Sequence, residues 1–229
     1  MPTINASRVG YIQGTGGSSF ANSRTDNGSA VFDSPTGNVL SPIQSFFSSG
    51  RGGGTYRQNR TYIYFDTSGI TGTVTSATLK ITSYTTVTSD VIVLNGNNAF
   101  GGDGNTALNV DDFDEVNMAG ISEAFSSQFT PWVSQTVNNI SLNSNAFSAL
   151  SSNNDTVMGV MNYTHDYQNS APASSVSKSA SIAFGTTIQL SYAVTAATNI
   201  DKVNKILVAN IGQWGGTSFS NVASLNGVT

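Results

Sequence analysis

Over residues 187–194 every second residue is apolar: Ile188, Leu190, Tyr192 and Val194 fall on one side, Thr187, Gln189, Ser191 and Ala193 on the other. A period of two marks a half-buried strand, because successive side chains point to opposite faces of a sheet. The alternation returns at Ala77, Leu79 and Ile81 against Thr78, Lys80 and Thr82. Shorter β-branched and aromatic runs stand at 8–12, 30–32, 61–66, 91–94, 156–163 and 181–184, separated by stretches rich in Gly, Ser and Asn. Residues 1–59 read as two strands with long loops, and a long polar loop opens at Asn95-Gly96, a length that suggests function or mobility. Helical spacing is confined to a turn within 111–123 and a short helix over 145–150, with Asn145 as its cap and Phe147 and Leu150 on one face. The pattern predicts an all-β fold, a jelly-roll β-sandwich with long loops, one or two short helices and a C-terminal appendage.

The chain of 229 residues is long enough to bury about 70% of its unfolded surface without metal or disulfide staples. It contains no cysteine, which removes disulfides, thiolate zinc sites and thiol catalysis together. Only 10% of residues are charged, against about 25% in an average domain, so solubility rests on hydroxyls and amides. The charge is segregated: residues 1–80 carry six Lys+Arg and three Asp+Glu, and residues 81–177 carry nine acids with no Lys or Arg. No basic field suits nucleic acid, and no apolar run approaches a membrane span. The first residues show neither the cationic nor the apolar part of an export signal, so the expectation is assembly in the cytoplasm without secretion.

Beyond Val194 the texture changes. A small-residue link, Thr195-Ala196-Ala197-Thr198, leads into two similar segments starting at Asn199 and Asn221, each reading Asn, aliphatic, two variable, aliphatic, Asn, variable, aliphatic. Residues 1–196 are expected to form the sandwich and 197–229 an anchoring segment. Ile200, Val203, Ile206, Ile211, Trp214, Val222, Leu225 and Val228 are its candidate partner contacts, being too apolar for a solvated tail.

The run Arg60-Thr61-Tyr62-Ile63-Tyr64-Phe65-Asp66-Thr67-Ser68, followed by Ser76-Ala77-Thr78-Leu79-Lys80-Ile81, resembles the strand–loop–strand signature of DNRLRE-type β-sandwiches, which are related to carbohydrate-binding jelly rolls. Asp111-Asp112-Phe113-Asp114, Ile140-Ser141-Leu142-Asn143, His165-Asp166-Tyr167 and Gln189-Leu190-Ser191-Tyr192 follow in a similar order, so the likeness spans roughly residues 55–195. Its implications are recognition or scaffolding, and the C-terminal segment is similar to the ends of phage virion proteins. The expectation is a non-enzymatic virion protein (capsid decoration, head fibre or tail component) contacting other capsid or tail subunits as a homo-oligomer. The alternative is a carbohydrate-binding module or receptor-binding protein that recognises surface polysaccharide.

Catalytic ingredients are sparse. His165 is the only histidine, and no nucleophile elbow, phosphate loop or metalloprotease motif is present. No cofactor is expected, with calcium as the one ion considered: Asp103, Asn105, Asp111, Asp112 and Asp114 offer the oxygen ligands a hard cation takes. Trp132, Tyr163 and Tyr167 flank loops and are the candidates for stacking on sugar rings.

Overall fold

The computed structural model describes residues 1–51, 53–85, 89–116, 123–152 and 155–195, together with the backbone of 202–203 and 206–207. It divides into two compact units, Met1–Thr195 and Ala196–Thr229. The first unit is an all-β sandwich of two antiparallel sheets. The smaller sheet runs β1 (Thr3–Asn5), β11 (Gln189–Thr195), β6 (Thr73–Thr82), β8 (Val137–Ser141). Leu79 stands between Leu190 and Ile140 in its register. The alternation in the sequence sends these three side chains, with Ala77, Ile81 and Ile188, into the space between the sheets.

The larger sheet is organised by one long strand, β5 (Gly53–Asp66). Along one edge lies β2 (Arg8–Gly14), itself paired with β3 (Gly28–Asp33). The other edge is shared end to end: Gly53 to Asn59 pair with β4 (Asn38–Gly50), and Thr61 to Asp66 pair with β9 (Asp155–Asn162). Beyond β4 lies β10 (Val176–Ala183), and beyond β9 lies β7 (Val91–Asn95). Pro42 sits just before β4 joins β5, and its missing N–H therefore breaks no bond to that strand. Its carbonyl accepts from Thr61 Oγ1 at 3.0 Å.

Residues 1–59 thus hold β1 to β4, the start of β5 and the helix α1 (Phe20–Thr25), capped by Ser19. This is richer than the two strands expected, because Ser, Gln and Gly on open faces hide the alternation. The second helix, α2 (Ser144–Ser152), begins earlier than expected, and its cap is Asn143: Oδ1 accepts from the N–H groups of Asn145 (3.0 Å) and Ala146 (3.3 Å).

Both faces of β7, β9 and the part of β5 paired with β9 are buried. Ile63, Phe65, Val91, Val93, Met158 and Val160 meet the smaller sheet. On the reverse face, Tyr62, Tyr64, Ile92, Leu94, Val157 and Met161 are covered by Ala99, Phe100, Leu108, Phe113 and Val116 from the long polar loop. That loop is a structural cover with two 3₁₀ turns, Ala99–Gly101 and Val110–Glu115. Glycines make room for it: a Cβ at Gly10, Gly14 or Gly159 would stand 2.8 Å from Leu108, 2.9 Å from Phe113 or 2.2 Å from Val116.

In the second unit, β12 (Lys202–Val203) and β13 (Ile206–Leu207) form a two-stranded antiparallel ladder. Among the described residues no helix is long and apolar enough to cross a membrane.

Candidate functional site

The densest polar chemistry lies beneath the cover. Arg60 takes its place on β5 opposite Ile12 and points to the covered face, where it is fully buried. Its Nε and Nη2 donate to the two carboxylate oxygens of Asp166, each at 2.8 Å. Nη1 donates to the carbonyl of Phe113 and Nη2 to that of Arg24, both at 2.8 Å, while the guanidinium lies 4.0 Å from the Phe113 ring centroid. Arg24 of α1 adds a bond to the Asp166 carbonyl at 2.9 Å and another to Asn169 Oδ1 at 2.6 Å. Asp166 belongs to a single π-helical turn, Tyr163–Tyr167.

The cluster ties α1, β5, the 110–115 turn and the 163–167 turn to one point. Burial alone would lower the Arg60 pKa, but the Asp166 carboxylate reverses it and the net shift is upward. Arg24 is shifted down, burial outweighing its attraction to Asp166. Burial pushes the Tyr62 phenol far above its ordinary range, and its hydroxyl donates to the Phe113 carbonyl at 2.8 Å. The arrangement holds these loops together.

The neighbouring histidine is used locally as well: His165 Nδ1–H donates to the carbonyl of Ser170 at 2.7 Å, and its backbone N–H caps onto Asn162 Oδ1 at the same distance. Arg24, Arg60 and Asp166 were not among the sequence candidates. The available signal was Arg60 itself, a charge inside an aromatic strand of a chain poor in charge.

The five calcium candidates are distributed over the cover. Asp103 accepts from the Asn105 N–H (2.9 Å) and Nδ2 (2.8 Å), closing its own turn. Asp112 Oδ2 accepts from the Asn109 N–H at 2.9 Å within a capping box, and burial raises its pKa. Asp111 Oδ1 accepts from Asn27 Nδ2 at 2.6 Å. Asp114, also raised by partial burial, opens on a polar groove of about 630 Å³ shared with Asn95, Asn98, Glu115 and Asp155. Among the described residues no three His, Cys, Asp or Glu side chains are grouped as a metal site requires.

The aromatic candidates separate too. Trp132 is buried in the inter-sheet core, edge-on to Phe129 at 6.2 Å, and forms one wall of a cleft with Asp90, Gln128, Thr164 and Lys178. Tyr163 and Tyr167 stack on each other at 5.6 Å and pack on the core beneath the cover. Of the C-terminal candidates, Val203 and Ile206 face each other across the β12–β13 ladder. Their side chains, and Ile200, Ile211, Trp214, Val222, Leu225 and Val228, lie outside the described residues. The chain matches no protein-family model and no curated protein sequence.

Proposed function

We propose that the chain is a non-enzymatic structural protein of a phage virion, a capsid decoration, head fibre or tail component, whose sandwich is held on its neighbours by residues 196–229. The observation that carries this reading is the division of the chain after Thr195. Among the described residues the sandwich completes its core with β11, and the sequence that follows carries further aliphatic residues and Trp214. Segments of that composition gain free energy by burial against another subunit, about 1.5–3 kcal/mol for each large side chain. The polar clusters of the sandwich also favour scaffolding, since Arg60, Arg24 and Asp166 are committed to holding loops.

Comparison of the full chain with a chain ending at Thr195, by sedimentation and thermal melting, tests the proposal. Expected are assemblies of the full chain and a monomeric, cooperatively melting truncated form. A truncated form that assembles like the parent, or one that fails to fold, overturns the anchoring role. Stoichiometric presence of the chain in purified phage particles, measured by mass spectrometry, tests the virion assignment itself.

A further inference from the structure

We propose that Asn27 is a site of spontaneous covalent modification whose product loosens the cover over the reverse face of β5. An asparagine followed by glycine is prone to cyclise, because a following residue without Cβ lets its backbone nitrogen reach the Asn Cγ. The sequence holds three such pairs, Asn27-Gly28, Asn95-Gly96 and Asn226-Gly227, the last outside the described residues. The fold treats the first two differently. Gly96 is buried and its N–H donates to the Val157 carbonyl at 2.9 Å, so the attacking nitrogen of that pair is committed to a hydrogen bond. Asn95 itself ends β7, where its N–H donates to the Glu123 carbonyl at 2.9 Å. Asn27, in contrast, is exposed and stands just before β3, whose one strand partner among the described residues is β2. The register between them shifts at this point: Gly14 pairs with Gly28 and Gln13 with Ala30, which leaves Ser29 out of the ladder. Backbone at the irregular end of an edge strand opens at low cost.

Packing demands the glycine of this pair, since a Cβ at position 28 would stand 2.2 Å from Ile12 Cγ2. In the reaction the Gly28 nitrogen gives its proton to solvent base and bonds to Asn27 Cγ. The Cγ–Nδ2 bond breaks, and ammonia leaves with a proton from water. Water then opens the cyclic imide: attack at Cγ leaves an aspartyl residue, and attack at the main-chain carbonyl leaves an isoaspartyl linkage with one more carbon in the backbone. Either product exchanges a donor for an anionic acceptor. Asn27 Nδ2 donates to Asp111 Oδ1 at 2.6 Å, tying the start of β3 to the 110–115 turn of the cover. A carboxylate in its place has no proton to give and adds to a neighbourhood that is already acidic. Asp114 reports that field: burial raises its pKa, and the charges of Asp26, Glu115 and Asp111 add to the rise against the pull of Arg60. The modification turns a clamp between the sheet and its cover into a repulsion.

Peptide mass spectrometry of the folded full chain, aged at mildly alkaline pH, tests the site. Conversion at Asn27 is expected at least about tenfold faster than at Asn95, the ratio that a modest difference in local opening gives. The product should accept methyl groups from an isoaspartyl methyltransferase, because only the imide route yields the isoaspartyl linkage. No conversion at Asn27, conversion of Asn95 at an equal rate, or a product that accepts no methyl group overturns the site. Hydrogen exchange tests the loosening. Asn27→Asp should quicken exchange across 110–115 a few-fold, with β6 and β11 unchanged. The double variant Asn27→Asp/Asp111→Asn, which again sets an amide donor against a carboxylate, should restore the slow rate. Unchanged exchange in the single variant, or equally fast exchange in the double one, overturns the loosening. Should the single variant melt early as a whole, the aged chain gives the same readout without a substitution.

Discussion

Ile63 and Phe65 on one face of β5 are covered by a second sheet, whereas Arg60, Tyr62 and Tyr64 on the other are covered by residues 99–116, a stretch of turns. The two covers make different demands. A sheet satisfies its own N–H and C=O groups in its ladders, so the residues beneath it need only be apolar. Turns leave carbonyls unpaired, and a buried carbonyl without a donor is costly. The face beneath the turns accordingly carries donors: Tyr62 and Arg60 both reach the Phe113 carbonyl, and Arg60 also reaches that of Arg24. Alternation along a single strand therefore serves two kinds of core.

The sharpest way to break the turn-covered core is Asp166→Ala, which strands the buried Arg60 guanidinium. A loss of about 3–5 kcal/mol is expected in urea unfolding, with the double variant Arg60→Met/Asp166→Leu recovering most of it because no unpaired charge remains. If the single and double variants are equally unstable, the cluster's worth lies in packing rather than in its charges.

Gly159→Ala is expected to act next in size. Its new methyl would collide with Val116, and overpacking of this kind costs about 1–3 kcal/mol. The loss should fall on the cover: hydrogen exchange should quicken across 99–116 more than in β6 or β11. Uniform quickening would mean that the two cores unfold as one.

The smallest effect concerns acid. Partial burial raises the Asp90 pKa, but donors outweigh it, chiefly Thr164 (2.6 Å) and Gln128 (2.7 Å), and hold this carboxyl below its ordinary value. A depressed folded pKa gives stability that is present above the unfolded value, about 4, and is lost as pH falls through the folded one. Asp90→Asn should therefore flatten the loss of stability below about pH 4. Asp112, a buried residue of the cover itself, has the opposite sign. Burial raises it, so its protonation relieves a penalty as pH falls, and Asp112→Asn should steepen the same limb. Urea midpoints between neutral and acid pH read both slopes.

The sheet-covered core was the legible one. Ala77, Leu79, Ile81, Ile188, Leu190 and Tyr192 declare it by strict alternation, and all six are buried. Strand β4 was missed because Ser41, Gln44 and Ser48 interrupt its apolar residues on an open face and Pro42 reads as a breaker. The turn-covered core was hidden for another reason. Its residues come from 12, 62, 100, 113 and 161, and the bond that gathers them joins Arg60 to Asp166 across 106 positions. No local period encodes such a pairing, and the glycines that seat the cover look like ordinary turn residues until the neighbouring element is in place.

Strand order also sets a timetable for biosynthesis. β11 lies between β1 and β6, so the last strand of the sandwich to leave the ribosome occupies an interior place in the smaller sheet. β1 pairs only with β11 among the described strands, and it waits for nearly the whole sandwich to be translated before finding its partner. Contacts of such long sequence separation form slowly. The nascent chain therefore carries Leu79 on an unfinished sheet until Thr195 emerges, which makes that interval the period of greatest exposure to aggregation.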